Sequence, residues 1–380
     1  MKIALLTYST KPRGSVVHTW ELATALHHLG HQVTVFALDK DGQGSDRSLP
    51  CTFHGIPAGP APANMDALIQ QRIDEFATGL SQAEDRYDIY HAQDCLGANA
   101  LVQLKQQGKA SHVVRTVHHI EDFASFYLRQ CQDKSIRQAD LCLCVSSYWQ
   151  KALAEDYYIT AQRVVNGVDI QRFSPYPKST DADLKTAYNL TGFPIYLTVG
   201  GIEPRKNSLG LLEAFAQVRR HHPQAQLVIA GGATLFDYQT YRDQFFQRVA
   251  ALGLTVGLDI ILPGVVPDAD LPGLYRCADV FCFPSVKEGW GLVVLEAIAA
   301  GLPVITANQP PFTEFLTPDQ ALLIPPESVT DLTQAMIAAA QPDQAQTLGQ
   351  NSQTILSQYT WQISAQQHLT AYHSLLNQRC

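Results

Sequence analysis

The sequence predicts an α/β protein built from two doubly wound parallel-sheet domains that face each other across a cleft. Short apolar runs of strand length alternate with helical stretches, which is the pattern of parallel sheets covered on both faces. A polar, proline-containing stretch at residues 171–183 separates two such series and has the composition of a linker. The 380 residues, 46% of them hydrophobic, are sufficient for two cores.

The first series opens with a βαβ unit. Residues 3–8 (IALLTY) predict a buried strand, and the Pro-Arg-Gly-Ser turn after them leads into a helical pattern that ends at Gly30. The remaining strands of this series are predicted at residues 33–38, 89–91, 112–117, 141–145 and 163–165. We therefore expect an amino-terminal domain over residues 1–175.

The second series predicts a second domain over residues 184–357. Its strands are expected at residues 195–199, 227–230, 260–262, 280–283, 304–306 and 321–324. Helical patterns lie between them, for example at residues 209–220 and 292–300, and a last helix is expected at residues 361–376. Ligands of doubly wound sheets bind beyond the carboxyl ends of the strands, so we expect the site in the cleft.

Charge and composition exclude several classes of function. The 27 Lys and Arg against 35 Asp and Glu give a net charge of −8, which argues against general nucleic-acid binding. The eight cysteines form no CxxC pair, which predicts free thiols in a reducing cytosol. No apolar run of 18 residues is present, and the amino terminus lacks the features of a signal peptide, so we expect a cytoplasmic protein without a transmembrane segment.

Common nucleotide and metal signatures are missing from the sequence. There is no GxxxxGK[ST] and no HExxH, and the nearest approach to GxGxxG, which begins at Gly289, lacks its third glycine. These absences weaken the hypotheses of a P-loop NTPase, a zinc protease and a dinucleotide oxidoreductase.

The most informative stretch is FPSVKEGWGLVVLEA at residues 283–297. It follows a predicted strand and opens a helix, and its glycines let backbone amides approach a ligand at the positive helix N-terminus. Glu288 precedes the helix and Glu296 lies about one turn inside it, so both carboxylates can face the same edge of the sheet. Paired carboxylate hydrogen bonds suit vicinal sugar hydroxyls. From the spacing alone, a surface Glu288 and a solvated Glu296 remain the alternative.

Two further strand-to-helix turns are candidates for anion binding. Arg205 and Lys206 place two cations at a helix start, against the preference of the helix dipole, which makes sense if an anion binds there. Gly14 and Ser15 form a tight turn before the first helix. A solvated basic turn and a merely tight turn are the respective alternatives.

Together these motifs resemble the retaining group 1 glycosyltransferases of family 4, which have the GT-B fold. Residues 284–305 match the family's E-x7-E region through Glu288 and Glu296. Supporting matches occur along nearly the whole chain, at Gly14, the GHQVTV segment, Thr116-Val117-His118, Asn166-Gly167-Val168-Asp169 with Phe173, Glu203 to Asn207, and Gly264-Val265-Val266. Trp361 and Tyr372 resemble the family's closing helix, which implies that residues 358–380 return to the first domain.

The resemblance implies a role for each site residue. The implied catalytic residues are His118, Glu288, Arg205 and Lys206. His118 would lie near the donor sugar, Glu288 would bind the sugar hydroxyls, and Arg205 and Lys206 would bind the diphosphate. The implied donor-binding residues are Gly14, Ser15, Val265, Val266, Gly289, Trp290, Gly291, Leu292 and Glu296. In this set Glu296 would bind the ribose hydroxyls, the two valines would lie beside the base, and Gly14 and Ser15 would let the first domain close on the phosphates.

This chain departs from the family pattern at two positions. Gly201 stands where many members carry Arg, and we expect Arg205 to supply the missing charge. Ser15 replaces a common second glycine. His91 and Asp94 lie at a predicted strand end, and we expect them to be structural or to support residues that contact the ligand. Asp268-Ala269-Asp270 suits helix capping better than a metal site.

The implied function is transfer of a hexosyl unit, with retention, from a nucleotide-diphosphate sugar to an acceptor. We expect no metal and no cofactor, because two cations and a helix dipole can neutralise the leaving diphosphate. The acceptor is a glycan, a small molecule or a lipid, contacted by residues 40–62 and 119–130, and peripheral membrane contact stays open. The alternatives are a sugar phosphorylase or sucrose-type synthase on the same fold, and a non-catalytic sugar- or nucleotide-binding protein.

Overall fold

A computed structural model describes residues 1–83, 85–232 and 238–377. It divides the chain into two compact units, which are treated separately below. The first comprises residues 1–167 and the carboxyl-terminal segment from Tyr359, and the second comprises residues 168–358.

Each unit is built on one wholly parallel sheet, and the described residues contribute 13 strands. The strands of the first unit are β1 (Lys2–Thr7), β2 (Gln32–Asp39), β3 (Thr52–Pro57), β4 (Ile89–Ala92), β5 (Val113–Val117), β6 (Leu141–Cys144) and β7 (Gln162–Arg163). Those of the second are β8 (Ile195–Val199), β9 (Gln226–Ala230), β10 (Ile260–Gly264), β11 (Val280–Phe283), β12 (Val304–Ala307) and β13 (Leu322–Ile324).

Helices cover these sheets. In chain order the described α-helices are α1 (Gly14–His28), α2 (Met65–Gln82), α3 (Cys95–Gln106), α4 (Phe126–Arg137), α5 (Ser147–Tyr157), α6 (Thr180–Ala187), α7 (Ser208–Val218), α8 (Gln239–Ala251), α9 (Leu271–Cys277), α10 (Leu292–Ala299), α11 (Val329–Ala339), α12 (Pro342–Gln353) and α13 (Trp361–Asn377). None of the described helices is long and apolar enough to cross a bilayer.

The strand order of both sheets is doubly wound. It is β3-β2-β1-β4-β5-β6-β7 in the first unit and β10-β9-β8-β11-β12-β13 in the second. The direction of winding reverses between β1 and β4 and between β8 and β11, so each unit has a switch point beyond the carboxyl ends of those two strands. The central strands are buried along most of their length because helices cover both faces.

The predicted strands are confirmed, and those at Ile195–Val199 and Val280–Phe283 begin and end where the sequence places them. The structure adds two elements that the sequence did not predict. Residues 40–62, which are expected to contact the acceptor, contain the edge strand β3, in which only Ile56 is buried, so no apolar run marks it. The linker-like stretch at 171–183 runs into α6, which Asp181 anchors through two hydrogen bonds with Arg276.

The carboxyl-terminal helix α13 belongs to the first unit and packs against α1. The side chain of Gln367 accepts a hydrogen bond from the backbone N–H of Val165 at 2.8 Å. Gly167 lies so close to this helix that a Cβ there would sit 2.2 Å from the Trp361 nitrogen, so only glycine fits. The expected return of the closing helix to the first unit is confirmed.

The seven cysteines within the described residues are free. Cys142 and Cys144 are buried in β6 and pack in an apolar cluster with Trp149. The eighth, Cys380, lies outside the described residues.

Candidate functional site

In the second unit, two loops leave the strands that flank the switch point. The basic loop, residues 200–207, follows β8, and the glycine loop, residues 284–291, follows β11. The two strands are hydrogen-bonded neighbours, so both loops begin at the same sheet edge. The backbone N–H of Val286 donates to the carbonyl of Arg205 at 2.8 Å, which ties one loop to the other.

The side chains of these loops meet in an ion-pair cluster. Oε1 of Glu288 accepts from the Lys206 ammonium at 2.6 Å and from the Arg205 guanidinium at 3.0 Å. The Nε atom of Arg205 also lies 3.1 Å from the buried carboxylate of Glu203. The ammonium of Lys206 lies 4.2 Å from the centroid of the Phe283 ring, which is a cation–π contact.

Burial and charge act in opposite directions on this cluster. Burial raises the pKa of the Glu288 carboxyl, but the charges of Lys206 and Arg205 outweigh it, and the pKa lies below 4.5. Burial and the Arg205 charge lower the pKa of Lys206 from 10.5 against the pull of Glu288. Arg205 is the accessible member, because 35% of its side chain is exposed against 13% for Lys206 and 9% for Glu288.

The glycine loop is shaped by one residue. Gly291 has φ +98°, and a Cβ there would lie 2.8 Å from the ring of the buried Phe312, so the position requires glycine. It is the N-cap of α10, whose first turn has neither a side-chain cap nor an acidic residue. Trp290 is buried and stacks on Phe315 at 4.7 Å between ring centroids. Gly289 and Leu292 are partly exposed beside it.

Glu296 is buried in α10 and does not project into solvent. Its Oε2 accepts a hydrogen bond from the Tyr275 hydroxyl at 2.8 Å, and burial beside this carboxylate raises the pKa of Tyr275 well above 10. The alternative of a solvated glutamate is therefore wrong. Tyr275 was not predicted, because it lies on α9 and only the fold brings it to Glu296.

Val265 and Val266 follow β10 on the same sheet edge. Val265 is 66% exposed, whereas Val266 is buried. A Cβ on Gly232 would lie 2.5 Å from the Val265 side chain, so the ends of β9 and β10 meet closely there. Gly201, where the family pattern has Arg, is equally close packed, because its Cβ would lie 2.6 Å from the carbonyl of Gly232.

In the Asp268-Ala269-Asp270 segment, Asp270 does not cap α9. It precedes the helix, but its backbone is already helical and its side chain caps no amide. The carboxylate of Asp268 lies 2.8 Å from the Arg172 guanidinium. Among the residues that the structure describes, no three His, Cys, Asp or Glu side chains are grouped to hold a metal ion.

In the first unit, the predicted residues lie beyond the carboxyl ends of β1 and β5, and β1 flanks the switch point. Gly14 opens α1 after β1, and its Cβ position is open to solvent. Ser15 follows it, and the backbone carbonyl of Ser15 accepts a hydrogen bond from the Thr19 hydroxyl at 2.7 Å. Asp94 caps α3 through the Gly97 amide at 2.9 Å, which agrees with its expected structural role.

His118 follows β5 at this edge and is partly exposed. Its Nε2 donates to Oε1 of the buried Gln93 at 3.0 Å, and its ring lies 4.9 Å from that of His18. Burial and the neighbouring His18 and Arg115 lower the pKa of His118 well below 6.5. His119, by contrast, is exposed and pairs with Glu121 at 2.8 Å. Gln93 carries no sequence signal and was not predicted.

Two protein-family models match the chain. "Glycosyltransferase Family 4" matches residues 12–172 and "Glycosyl transferases group 1" matches residues 182–354. The O-antigen chain mannosyltransferase B of Escherichia coli is 28% identical over 257 residues, which cover 66% of this chain and 64% of that protein.

Solved structures match the whole chain. Sucrose-phosphate synthase from Thermosynechococcus elongatus has 25% identity and a TM-score of 0.79, with 99% of each chain covered. Anabaena HepE in complex with UDP-glucose has 22% identity and a TM-score of 0.79, with 98% of this chain and 100% of that chain covered. The fold is therefore GT-B. The chain belongs to the family 4, group 1 glycosyltransferases, enzymes that use a nucleotide-sugar donor.

Proposed function

We propose that this chain is a retaining, metal-independent glycosyltransferase that moves a hexosyl unit from a nucleotide-diphosphate sugar to an acceptor hydroxyl. The observation that carries the proposal is the meeting of Arg205, Lys206 and Glu288 at the switch point of the second unit. Two cations beside one sugar-binding carboxylate suit a ligand that carries phosphates next to hydroxyl groups.

The diphosphate binds the cation pair. Arg205 is the more exposed cation and divides its hydrogen bonds between Glu203 and Glu288, so a phosphate oxygen can replace a carboxylate as its partner. Lys206 is already held in place by the Phe283 ring. The uncapped start of α10 adds amide groups and the positive end of a helix dipole on the sugar and phosphate side.

We assign the nucleoside end of the donor to α10 and to the residues that follow β10. Glu296 accepts hydrogen bonds from the ribose hydroxyls, in an orientation fixed by the Tyr275 hydroxyl on its Oε2. The exposed Val265 lies beside the base. Gly289 and Trp290 belong to the loop that contacts the sugar.

The reaction breaks the bond between the anomeric carbon and the diphosphate oxygen, and the electron pair leaves with the diphosphate. Arg205 and Lys206 stabilise this developing negative charge, which is the largest electrostatic demand of the step. The acceptor oxygen bonds to the anomeric carbon on the face that the diphosphate leaves, and its proton passes to a diphosphate oxygen. The configuration is thereby retained, and no metal is required.

The first unit binds the acceptor. His118 lies near the donor sugar, and Gly14 and Ser15 close on the phosphates, which excludes water and so suppresses hydrolysis. The acceptor is a glycan, a small molecule or a lipid, contacted by residues from 40 to 62 and from 119 to 130.

Thermal-shift screening against UDP-, GDP- and ADP-hexoses tests donor binding, and the HepE complex makes UDP-glucose the first choice. Transfer is then measured as nucleotide diphosphate released with an acceptor panel that includes lipids, and the anomeric configuration of the product is read by NMR. Sugar phosphate formed only when inorganic phosphate is supplied would identify a phosphorylase. Donor binding without turnover on every acceptor would favour a non-catalytic binding protein.

A further inference from the structure

Gln93 lies between two imidazoles in the first unit. It follows β4, and its side chain is buried. Its carbonyl oxygen Oε1 lies 3.0 Å from Nε2 of His118. Its amide nitrogen lies 3.2 Å from Nε2 and 3.5 Å from Nδ1 of His91, so it packs over the face of that ring and is not in line with either nitrogen. Gln93 therefore presents an acceptor to His118 and rests on the ring of His91.

This arrangement fixes which nitrogen of His118 carries a hydrogen. Gln93 Oε1 can only accept, so the neutral His118 ring donates from Nε2 and its Nδ1 keeps a lone pair. His91 is held by two hydroxyls, because Thr116 lies 2.7 Å from its Nε2 and Tyr372 lies 2.6 Å from its Nδ1.

Four side chains thus lie in contact from α13 to the sheet edge, in the order Tyr372, His91, Gln93 and His118. Tyr372 and His91 are completely buried, and their rings are 5.7 Å apart, so Gln93 rests on a rigid support. The partly exposed end is His118.

The groups that face His118 favour its neutral form. They are His18 on α1, His91 on β4, Arg115 on β5 and the adjoining His119. His368 on α13 faces the same cluster, with its ring 5.8 Å from that of His18. The nearby carboxylate of Glu121 pairs with His119 at 2.8 Å. A neutral ring with a lone pair on Nδ1 accepts a hydrogen bond from a hydroxyl.

We propose that Gln93 is a positioning residue that holds His118 in the neutral Nε2–H form, with Nδ1 presented to a hydroxyl of the donor sugar, and that the His91 ring supports the Gln93 amide by packing. This inference rests on the proposed function, because that function assigns His118 to the donor sugar.

The first experiment reads the hydrogen directly and needs no turnover. The full chain is labelled with ¹⁵N in its histidine rings, and the His118 signals are identified by their loss in His118→Asn. In the wild type we expect a hydrogen on Nε2 and a bare Nδ1. A hydrogen on Nδ1 of His118 would overturn the proposal.

The second experiment changes the amide. Gln93→Glu keeps an acceptor against His118 but adds a negative charge, so the acid limb of the kcat/KM profile should move to higher pH by about one unit or more. Gln93→Leu removes the acceptor, and kcat should fall about tenfold, the loss of one oriented hydrogen bond, without a shift of that limb. The matched control is Gln106→Glu on the exposed face of α3.

If Gln93 had a purely structural role, Gln93→Glu would have a lower melting temperature but the same pH profile as wild type. That result would overturn the proposal. If Gln93→Glu fails to fold, the histidine spectrum of Gln93→Leu decides, because only there should His118 show both ring forms. A wild-type chain without transferase activity but with the Nε2–H form would contradict the proposed function and support the assignment of Gln93.

Discussion

The ammonium of Lys206 lies 2.6 Å from Oε1 of Glu288, and this ion pair joins the two loops that leave the switch point of the second unit. Both side chains are largely buried, so each depends on the other for its charge. Removing one member of a buried pair leaves the other uncompensated, at a cost of about 3 kcal/mol. The pair is therefore required for stability before any ligand binds.

Lys206→Met should lower turnover about 100-fold or more, because the leaving diphosphate loses one of its two cations. Arg205→Ala should have a comparable effect with a smaller loss of stability, since Arg205 is the more exposed cation. Release of nucleotide diphosphate and urea unfolding measure the two effects separately. Arg220→Ala, an exposed cation that follows α7, is the control and should match wild type. Full activity in the Arg205→Ala, Lys206→Ala double variant would contradict the assignment of both residues.

Glu296→Ala should weaken binding of the nucleotide diphosphate, because the ribose hydroxyls lose a charged acceptor. Hydrogen bonds to charged groups contribute about 1.5–3 kcal/mol, so calorimetry should show the affinity fall about tenfold to 100-fold. Glu213→Ala is the control, since that carboxylate forms an exposed pair with Arg248 on the outside of α7. Unchanged affinity in Glu296→Ala would argue that the Tyr275 contact is its whole role.

The strands that the sequence predicts best are short apolar runs bounded by polar or turn residues. β8 and β11 are of this kind, and local composition is sufficient to locate them. β3 could not be found this way, because an edge strand with one fully buried residue has almost no apolar signal. Helix α7 begins at Ser208, one residue before the predicted start at residue 209, and this difference is within the ordinary uncertainty of helix ends.

The candidate site was predictable only where its residues lie in strand-to-helix turns, which the local sequence marks. Arg205, Lys206 and Glu288 belong to two strand-to-helix turns, and the carboxyl ends of parallel strands share an edge, so their meeting could be expected. Tyr275 and Gln93 could not be found from the sequence, because their partners are fixed by packing between separate elements. For the same reason the sequence could not predict that Arg172 pairs with Asp268.

Stability of the first unit should fall as the pH is lowered below 6.5. Burial lowers the pKa of His18 to about 3 and that of His368 to about 4. Their Nδ1 atoms donate to Asn166 and to the carbonyl of Ser364, and within the described residues their Nε2 atoms have no hydrogen-bond partner. The unfolded chain binds protons below pH 6.5 while these rings stay neutral, so the folded state loses stability from pH 6.5 down towards the folded pKa values.

The expected loss is about 2 kcal/mol per histidine at pH 5, relative to pH 7.5. His368→Phe should therefore lose less stability than wild type between these two pH values, whatever its stability at pH 7.5. The free energy of unfolding in urea at both pH values measures this difference. His28→Gln, at an exposed position near the end of α1, should retain the wild-type dependence. An identical dependence in His368→Phe would mean that the ring is protonated in the folded chain.

Gly291→Ala tests whether the backbone of the glycine loop is required in its present form. The substitution places a Cβ at φ +98° and 2.8 Å from the Phe312 ring, which is fully buried and packs against Phe283. Gly253→Ala is the matched control, because Gly253 has φ +69° and no atom within 4 Å of its Cβ position. The control carries only the backbone cost of about 1 kcal/mol, whereas displacing Phe312 adds about 1–3 kcal/mol.

The Gly291 variant should also bind the nucleotide sugar more weakly, since moving its backbone reorients the first amides of α10. Urea unfolding measures the loss of stability, and calorimetry with UDP-glucose measures the loss of donor affinity. Equal destabilisation in both alanine variants would show that Phe312 can move aside at no cost. Normal UDP-sugar affinity in a destabilised Gly291→Ala would separate the fold of the loop from donor binding and contradict the role given to its amides.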